Sequence, residues 1–157
     1  MRDAVSIGRV NKLHPKVKDE VFITIGEIEA QWPDNVAIRV VQGLRTIEEQ
    51  DALYAQGRTK PGKIVTKAKG GSSLHNYALA FDFVLIYDKD NNGSFETLVW
   101  DENDPHWQEV VKAFEAKGWF WGGRFSTIHD APHLQKTFGY TWQQLKAKYK
   151  AGEYVEL

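Results

Sequence analysis

Apolar residues recur at three- and four-residue spacing through Leu13, Val17, Val21, Ile25, Ile28 and Trp32, which predicts an amphipathic helix over residues 15–32. Trp32-Pro-Asp-Asn35 stops it, and the β-branched run Val36-Ala-Ile-Arg-Val-Val41 predicts a strand. Thr46-Ile-Glu-Glu49 has the form of a capping box and opens a second helix that runs to about Tyr54 and closes at Gly57. Residues 58–72 are rich in Lys and Gly and read as a long surface loop, a length usually kept for function or mobility. The strongest strand signal is residues 80–87, AFDFVLIY. An Asn-Gly turn at 88–93 then returns the chain as a paired strand over 95–100. Asp104-Pro105 starts a third helix with Trp107, Val110, Val111 and Phe114 on one side and Gly118 at its end. Thr141-Trp-Gln-Gln144 caps a last one. Helices mixed with antiparallel strands make this an α+β fold, a small antiparallel sheet packed with helices.

The 157 residues show no internal repeat or linker, and are expected to form one domain. Apolar residues make up 42% and charged residues 26%, with a formal net charge of −1, so neither nucleic acid nor an anionic membrane is expected as the main partner. The basic stretch from Lys60 to Lys69 could still meet an anionic polymer, or simply form a solvated loop. No run approaches the roughly 20 apolar residues of a membrane span, and the N-terminus has no apolar core of a signal peptide. With no cysteine, any metal site must use nitrogen and oxygen ligands.

Asp82 changes the picture, because it stands between Phe81 and Phe83 in a strand heading for the core. A buried carboxylate needs a partner, since leaving it unpaired costs several kcal/mol, roughly. His75 arrives from the preceding loop, and a histidine nitrogen with a carboxylate oxygen can ligate zinc or simply hydrogen-bond. Asp130-Ala-Pro-His133 adds a third candidate ligand, His133, and a further carboxylate, Asp130. Catalytic zinc sites keep three protein ligands, and a free carboxylate beside them can take a proton from water and return it to the leaving amine. Two histidines, one aspartate and a second aspartate as base make a complete hydrolase constellation. In Asp88-Lys-Asp-Asn-Asn-Gly93, Asp88, Asp90 and Asn92 mimic half of a calcium loop, with Glu96 or Asp101 near enough to help. Val99 stands where the bidentate glutamate belongs, so a plain hairpin turn is the alternative.

These residues resemble a known family. Ser73-Leu-His-Asn-Tyr-Ala-Leu-Ala-Phe-Asp82 resembles the SxHxxGxAxD motif of peptidase family M15, the zinc D-alanyl-D-alanine carboxypeptidase and L-alanyl-D-glutamate endopeptidase group. Asp130-Ala-Pro-His133 resembles its second motif. Gly43-Leu-Arg-Thr46, Glu49-Gln50, Leu53-Tyr-Ala-Gln-Gly-Arg-Thr59 and Trp121-Gly-Gly123 are similar to segments of the cell-wall endopeptidase branch, which includes phage endolysins. The resemblance runs from about Val36 to Gln135.

It implies a hedgehog/DD-peptidase-like zinc peptidase domain, with one zinc held by His75, Asp82 and His133, Asp130 as acid/base, and Arg45 facing the carbonyl oxygen as it gains charge. The implied activity is hydrolysis of peptidoglycan stem peptides, at the L-alanyl–D-glutamate bond, by a monomeric bacteriolytic lysin of phage or prophage. That protein is made in the cytoplasm without a signal peptide and reaches the wall through a holin-type pore, with no separate wall-binding domain. A D-alanyl-D-alanine carboxypeptidase or dipeptidase, or a non-catalytic wall-binding module, are the alternatives. Ser73 either supports the site or ends the Gly-Gly-Ser-Ser loop. His129 and Trp121 either contact substrate or are, respectively, an exposed neighbour and core packing. Ala78 stands where the motif has glycine, a change expected to be tolerated at an ordinary φ.

Overall fold

The computed structural model describes residues 1–157. Strands β1 (Val36–Gln42), β2 (Ala80–Tyr87), β3 (Thr97–Val99), β4 (Phe120–Trp121) and β5 (His133–Gln135) form one antiparallel sheet in the order β1-β2-β5-β4, with β3 also on β2. β2 is the axis of this sheet. One of its edges pairs with β1 over residues 82–87, while the other is shared, β5 taking residues 80–82 and β3 residues 85–87.

From Ala80 to Ile86 every residue of β2 is fully buried except Asp82. Phe81 packs edge-on against Phe114 and Trp119, and Phe83 lies 4.5 Å from the Trp107 ring, centroid to centroid. These partners come from α4 (Pro105–Glu115), whose apolar side is the one expected from its spacing, and from the turn that follows it. The long helix α2 (Pro15–Glu29) buries Val17, Val21, Ile25 and Ile28 against α4 and β1. α3 (Ile47–Ala55) carries both halves of the Thr46–Glu49 capping box, and α5 (Trp142–Lys148) carries a second one on Thr141 and Gln144.

Three details differ from the sequence expectation. α2 ends at Glu29 rather than Trp32: beyond it the Gln31 and Trp32 amides bond back three residues, to the Ile28 and Glu29 carbonyls, in a tightened last turn that Pro33 then stops. The returning strand is only Thr97–Val99. A short helix, α1 (Ala4–Val10), is capped by Asp3 and packs on β1, and nothing in its apolar spacing announced it.

Candidate metal centre

Ladder register brings two of the expected residues face to face: Asp82 on β2 pairs directly with His133 on β5. On the other side Asp82 meets Gln42, beside an irregularity between Val40 and Gln42 where β1 bends away. His75 comes from a 3-10 turn, Leu74–Tyr77, rather than a plain loop, and the Ser73 hydroxyl caps that turn at the His75 amide. Asn76 fastens it. Its side-chain oxygen accepts from the amides of Gly71 and Ser73, and its side-chain nitrogen donates to the carbonyls of Arg45 and Thr46. Arg45 and His75 are therefore positioned by the same stitch.

His75 Nε2, His133 Nδ1 and Asp82 Oδ1 lie 3.0–3.2 Å from one another. The opposite ring nitrogens are engaged: His75 Nδ1 donates to the Gly43 carbonyl at 2.8 Å, and His133 Nε2 donates to Gln135 Oε1 at 3.0 Å. With those hydrogens placed, both inward-facing nitrogens carry lone pairs, as does the carboxylate. Three acceptors converge with no hydrogen among them, and one proton can bridge only two at a time. A divalent cation satisfies all three, and ligand distances near 2.0–2.2 Å put neighbouring donors roughly 3.3 Å apart, close to the spacing found. The donor set fits such an ion.

Asp82 is held well below the usual carboxylate range. Burial is the largest single influence and pushes the other way, but the imidazoles in their protonated, metal-free form outweigh it by charge and hydrogen bonds, a part that a bound cation would take over. Asp130 behaves oppositely. Burial, then the charge of Asp82, raises its pKa against the opposing pull of His133, His75 and Arg45. Its Oδ2 stands 4.0 Å from His133 Nδ1, and its side chain remains partly open to solvent. Two aspartates beside each other are thus pushed apart in acidity, the pattern of a charge-holding group beside a proton-handling one.

A cleft of about 510 Å³ opens over these groups, lined also by Arg45, Phe125, Ser73 and the loop of residues 58–72. A second hollow of about 450 Å³, lined by Gln42, Leu44, Glu49 and Ala52 of β1, α3 and the segment between them, has Arg45, Leu53 and Gln56 in common with the cleft. Arg45 makes no ion pair with Glu48 or Glu49. Instead its Nη1 donates to Gln50 Oε1 at 3.0 Å, and the buried Gln50 amide donates to the Ala68 carbonyl. Gln50, Gln135, Asn76 and the Gly43 carbonyl orient the site without a sequence signal of their own for that role. Gly43, Gln50 and Asn76 stand inside the segments that resemble the family, whereas Gln135, two residues past His133, carries only its strand-face alternation as a signal.

Trp121 and His129 do not line the cleft. The Trp121 indole donates to the Ala131 carbonyl at 2.7 Å and braces the turn between Asp130 and His133 from behind. Gly122 belongs to the same brace: a Cβ there would lie 2.4 Å from the Asp130 carbonyl oxygen, so only glycine fits. His129 is exposed, its Nε2 bonded to Glu102 at 2.6 Å, and that hydrogen bond raises its pKa. Asp88, Asp90 and Glu96 do gather at the hairpin turn, but the Asp88 oxygens accept from the Asn92 and Gly93 amides, as in an ordinary turn. Ala78 requires a correction. Its φ is 58°, in the left-handed region, so the alanine does not sit at an ordinary φ but carries the backbone conformation that glycine adopts freely.

Comparison with known proteins places this geometry in a lineage. A family described as D-alanyl-D-alanine carboxypeptidase matches residues 66–136, the span that holds His75, Asp82, Asp130 and His133. The peptidoglycan L-alanyl-D-glutamate endopeptidase CwlK of Bacillus subtilis (strain 168) is 41% identical over 130 residues, covering 78% of this chain and 72% of that relative. Among solved structures, the Serratia marcescens L-Ala D-Glu endopeptidase ChiX matches with a TM-score of 0.57 at 20% identity, over 86% of this chain and 88% of the other. That likeness speaks to the fold alone.

Proposed function

The chain belongs to peptidase family M15, the D-alanyl-D-alanine carboxypeptidase and L-alanyl-D-glutamate endopeptidase group, and on that premise we propose that it is a zinc endopeptidase cutting peptidoglycan stem peptides between L-alanine and D-glutamate. The observation that carries this reading is the convergence of His75 Nε2, His133 Nδ1 and Asp82 Oδ1 within 3.2 Å, lone pairs inward, at the floor of an open cleft. The choice of bond rests on the 41% identity to CwlK, and a second hollow on the α3 side of Arg45 is compatible with it.

His75, Asp82 and His133 would hold the zinc, which when bound supplies a Lewis acid that acidifies water and polarises a carbonyl. The remaining work falls to this chain's own side chains. Asp130, partly open to the cleft with its Oδ2 4.0 Å from His133 Nδ1, takes a proton from the attacking water and returns it to the departing amine. Arg45, held by Gln50 and free of any carboxylate partner, faces the carbonyl oxygen as negative charge grows there. Such a fixed donor is worth about 3 kcal/mol in related settings, on the order of a hundredfold in rate.

The test is digestion of purified peptidoglycan with and without a chelator, followed by identification of new amino termini. New glutamate termini, lost on chelation and restored by zinc, are expected. Release of free alanine alone would assign the carboxypeptidase alternative, and no release at all a binding module. We extend the proposal to a bacteriolytic setting, as a monomeric phage or prophage lysin whose single domain is made in the cytoplasm and passes to the wall when a pore-forming partner opens the membrane. Expression with and without such a partner tests it, with lysis expected only when both are present.

A further inference from the structure

Between Asp51 and Asp82 the chain has no acidic residue, yet it carries Arg58, Lys60, Lys63, Lys67 and Lys69, all exposed. This cationic loop forms a wall of the catalytic cleft, contributing Val65, Thr66, Ala68 and Ser72 to its lining. It is tied down along its length. Arg58 donates to the carbonyls of Tyr54 and Thr66 and lies over the Tyr54 ring, Gln50 holds the Ala68 carbonyl, and Asp51 accepts from the Gly70 amide. Lys69 sits 5.5 Å from the same Tyr54 ring. Lys60, Lys63 and Lys67 differ from these two, for their ammonium groups make neither a hydrogen bond nor an ion pair. Between them Ile64 and Val65 stand 57% and 56% exposed, an apolar pair flanked by free positive charge at the mouth of the cleft.

A loop held in place, without acidic residues and with lysines that no carboxylate occupies, offers its positive charge to an anion entering the cleft. Resting on the function proposed above, a substrate cut between alanine and glutamate carries a carboxylate immediately past the scissile bond. We infer that Lys60, Lys63 and Lys67, with Ile64 and Val65 between them, form a recruitment surface for the carboxylates of the stem peptide on the departing side of that bond. The lysines steer and hold the anionic strand while the apolar pair covers its alkyl parts, and the groups that do chemistry are untouched. Exposed charges act over about 8–10 Å at ordinary salt, so the contribution falls as ionic strength rises.

The experiment compares the wild type with the triple variants K60Q/K63Q/K67Q and K60R/K63R/K67R on peptidoglycan freed of phosphate polymers, reading KM and kcat separately across ionic strength. The glutamine triple is expected to raise KM about three- to tenfold, with kcat within about twofold, and to lose most of the wild type's salt dependence. The arginine triple should behave as wild type, and amidating the peptidoglycan carboxyls should bring the wild type to the KM of the glutamine triple. An unchanged KM and unchanged salt slope in the glutamine triple overturns the inference. So does an effect seen only on walls that keep their phosphate polymers, which would assign the charge to that polymer. Sedimentation of the Asp130→Asn protein with peptidoglycan reads recruitment without turnover. Lysine-dependent binding there, with no cleavage at the alanyl–glutamate bond by the wild type, would sink the proposed function and leave the recruitment surface standing.

Discussion

The imidazoles of His75 and His133 turn their hydrogen-free nitrogens toward each other at 3.2 Å, because the Gly43 carbonyl and the Gln135 side chain hold the hydrogens on the far sides of the rings. One of these holders is fixed backbone and the other a replaceable amide. Gln135→Leu removes the acceptor that keeps His133 in its tautomer, so zinc affinity is expected to fall about 10- to 100-fold. Competition with a chromophoric chelator measures this without reference to turnover. His133→Ala should lose stoichiometric zinc outright, and a variant still holding one zinc per chain would remove His133 from the ligand set.

Asp130→Asn preserves shape and takes away the proton acceptor. Fold and zinc content should match the wild type while kcat on peptidoglycan drops at least about a hundredfold, the usual worth of a positioned general base or more. Near-normal hydrolysis by this variant would leave Asp130 without its role.

Arg45 presents a planar fork whose Nη1 is fixed on Gln50, so charge alone does not replace it. Arg45→Lys is expected to lower kcat about tenfold and Arg45→Ala about a hundredfold, with smaller changes in KM. A loss confined to KM would instead mean that Arg45 binds the ground state.

Much of this site was legible before any coordinates. Asp82 betrayed itself by standing among Phe81, Phe83 and Val84, and β2 duly buries its neighbours while leaving that one residue open to the cleft. The capping boxes at Thr46 and Thr141 and the apolar side of α4 are local signals, and local signals survive folding. What sequence could not reach is the orientation of side chains by partners far along the chain. Gly43 meets His75 across 32 residues, and Gln50 gains its role only once Arg45 and Ala68 close around it. Trp121 was open to two readings, substrate contact or packing, for the same reason. Gly122 lets the Asp130 turn approach, Gly123 makes room for the Trp121 ring itself, and the indole donates to the Ala131 carbonyl behind that turn.

Ala78 occupies a left-handed backbone position with its side chain fully buried. Left-handed φ costs an L-residue roughly 1 kcal/mol that glycine avoids, although glycine gives back part of this through a freer unfolded chain. Ala78→Gly is expected to stabilise the protein by about 0.5–1 kcal/mol, a rise in Tm of about 1–4 °C for a chain of this size. Calorimetry checks it. A lower Tm would mean that the packing of the methyl group outweighs the backbone strain.

Asp3 and Arg39 join the unforeseen helix α1 to β1. Asp3 accepts from the Ser6 amide and hydroxyl and from Arg39 Nε and Nη2, while the Ser6 hydroxyl in turn accepts from the Val40 amide. Burial, the largest influence on Asp3, favours its protonated form, but the hydrogen bonds from Arg39 and Ser6 and the charge of Arg39 together lower its pKa. A carboxyl whose folded pKa lies below its unfolded one stabilises the fold at every pH above the ordinary aspartate range, and that stability drains away as pH falls through about 4 toward the lowered value. Asp3→Asn keeps a capping side chain but cannot carry the charge. Its unfolding free energy at pH 6 should be about 1–3 kcal/mol below wild type, with the two curves converging as the solution is made more acidic. Urea titrations at several pH values between 6 and 3 measure both. Parallel curves across that window would place the energy of this contact in packing rather than in the ion pair, because only a charged group can lose its contribution to a proton.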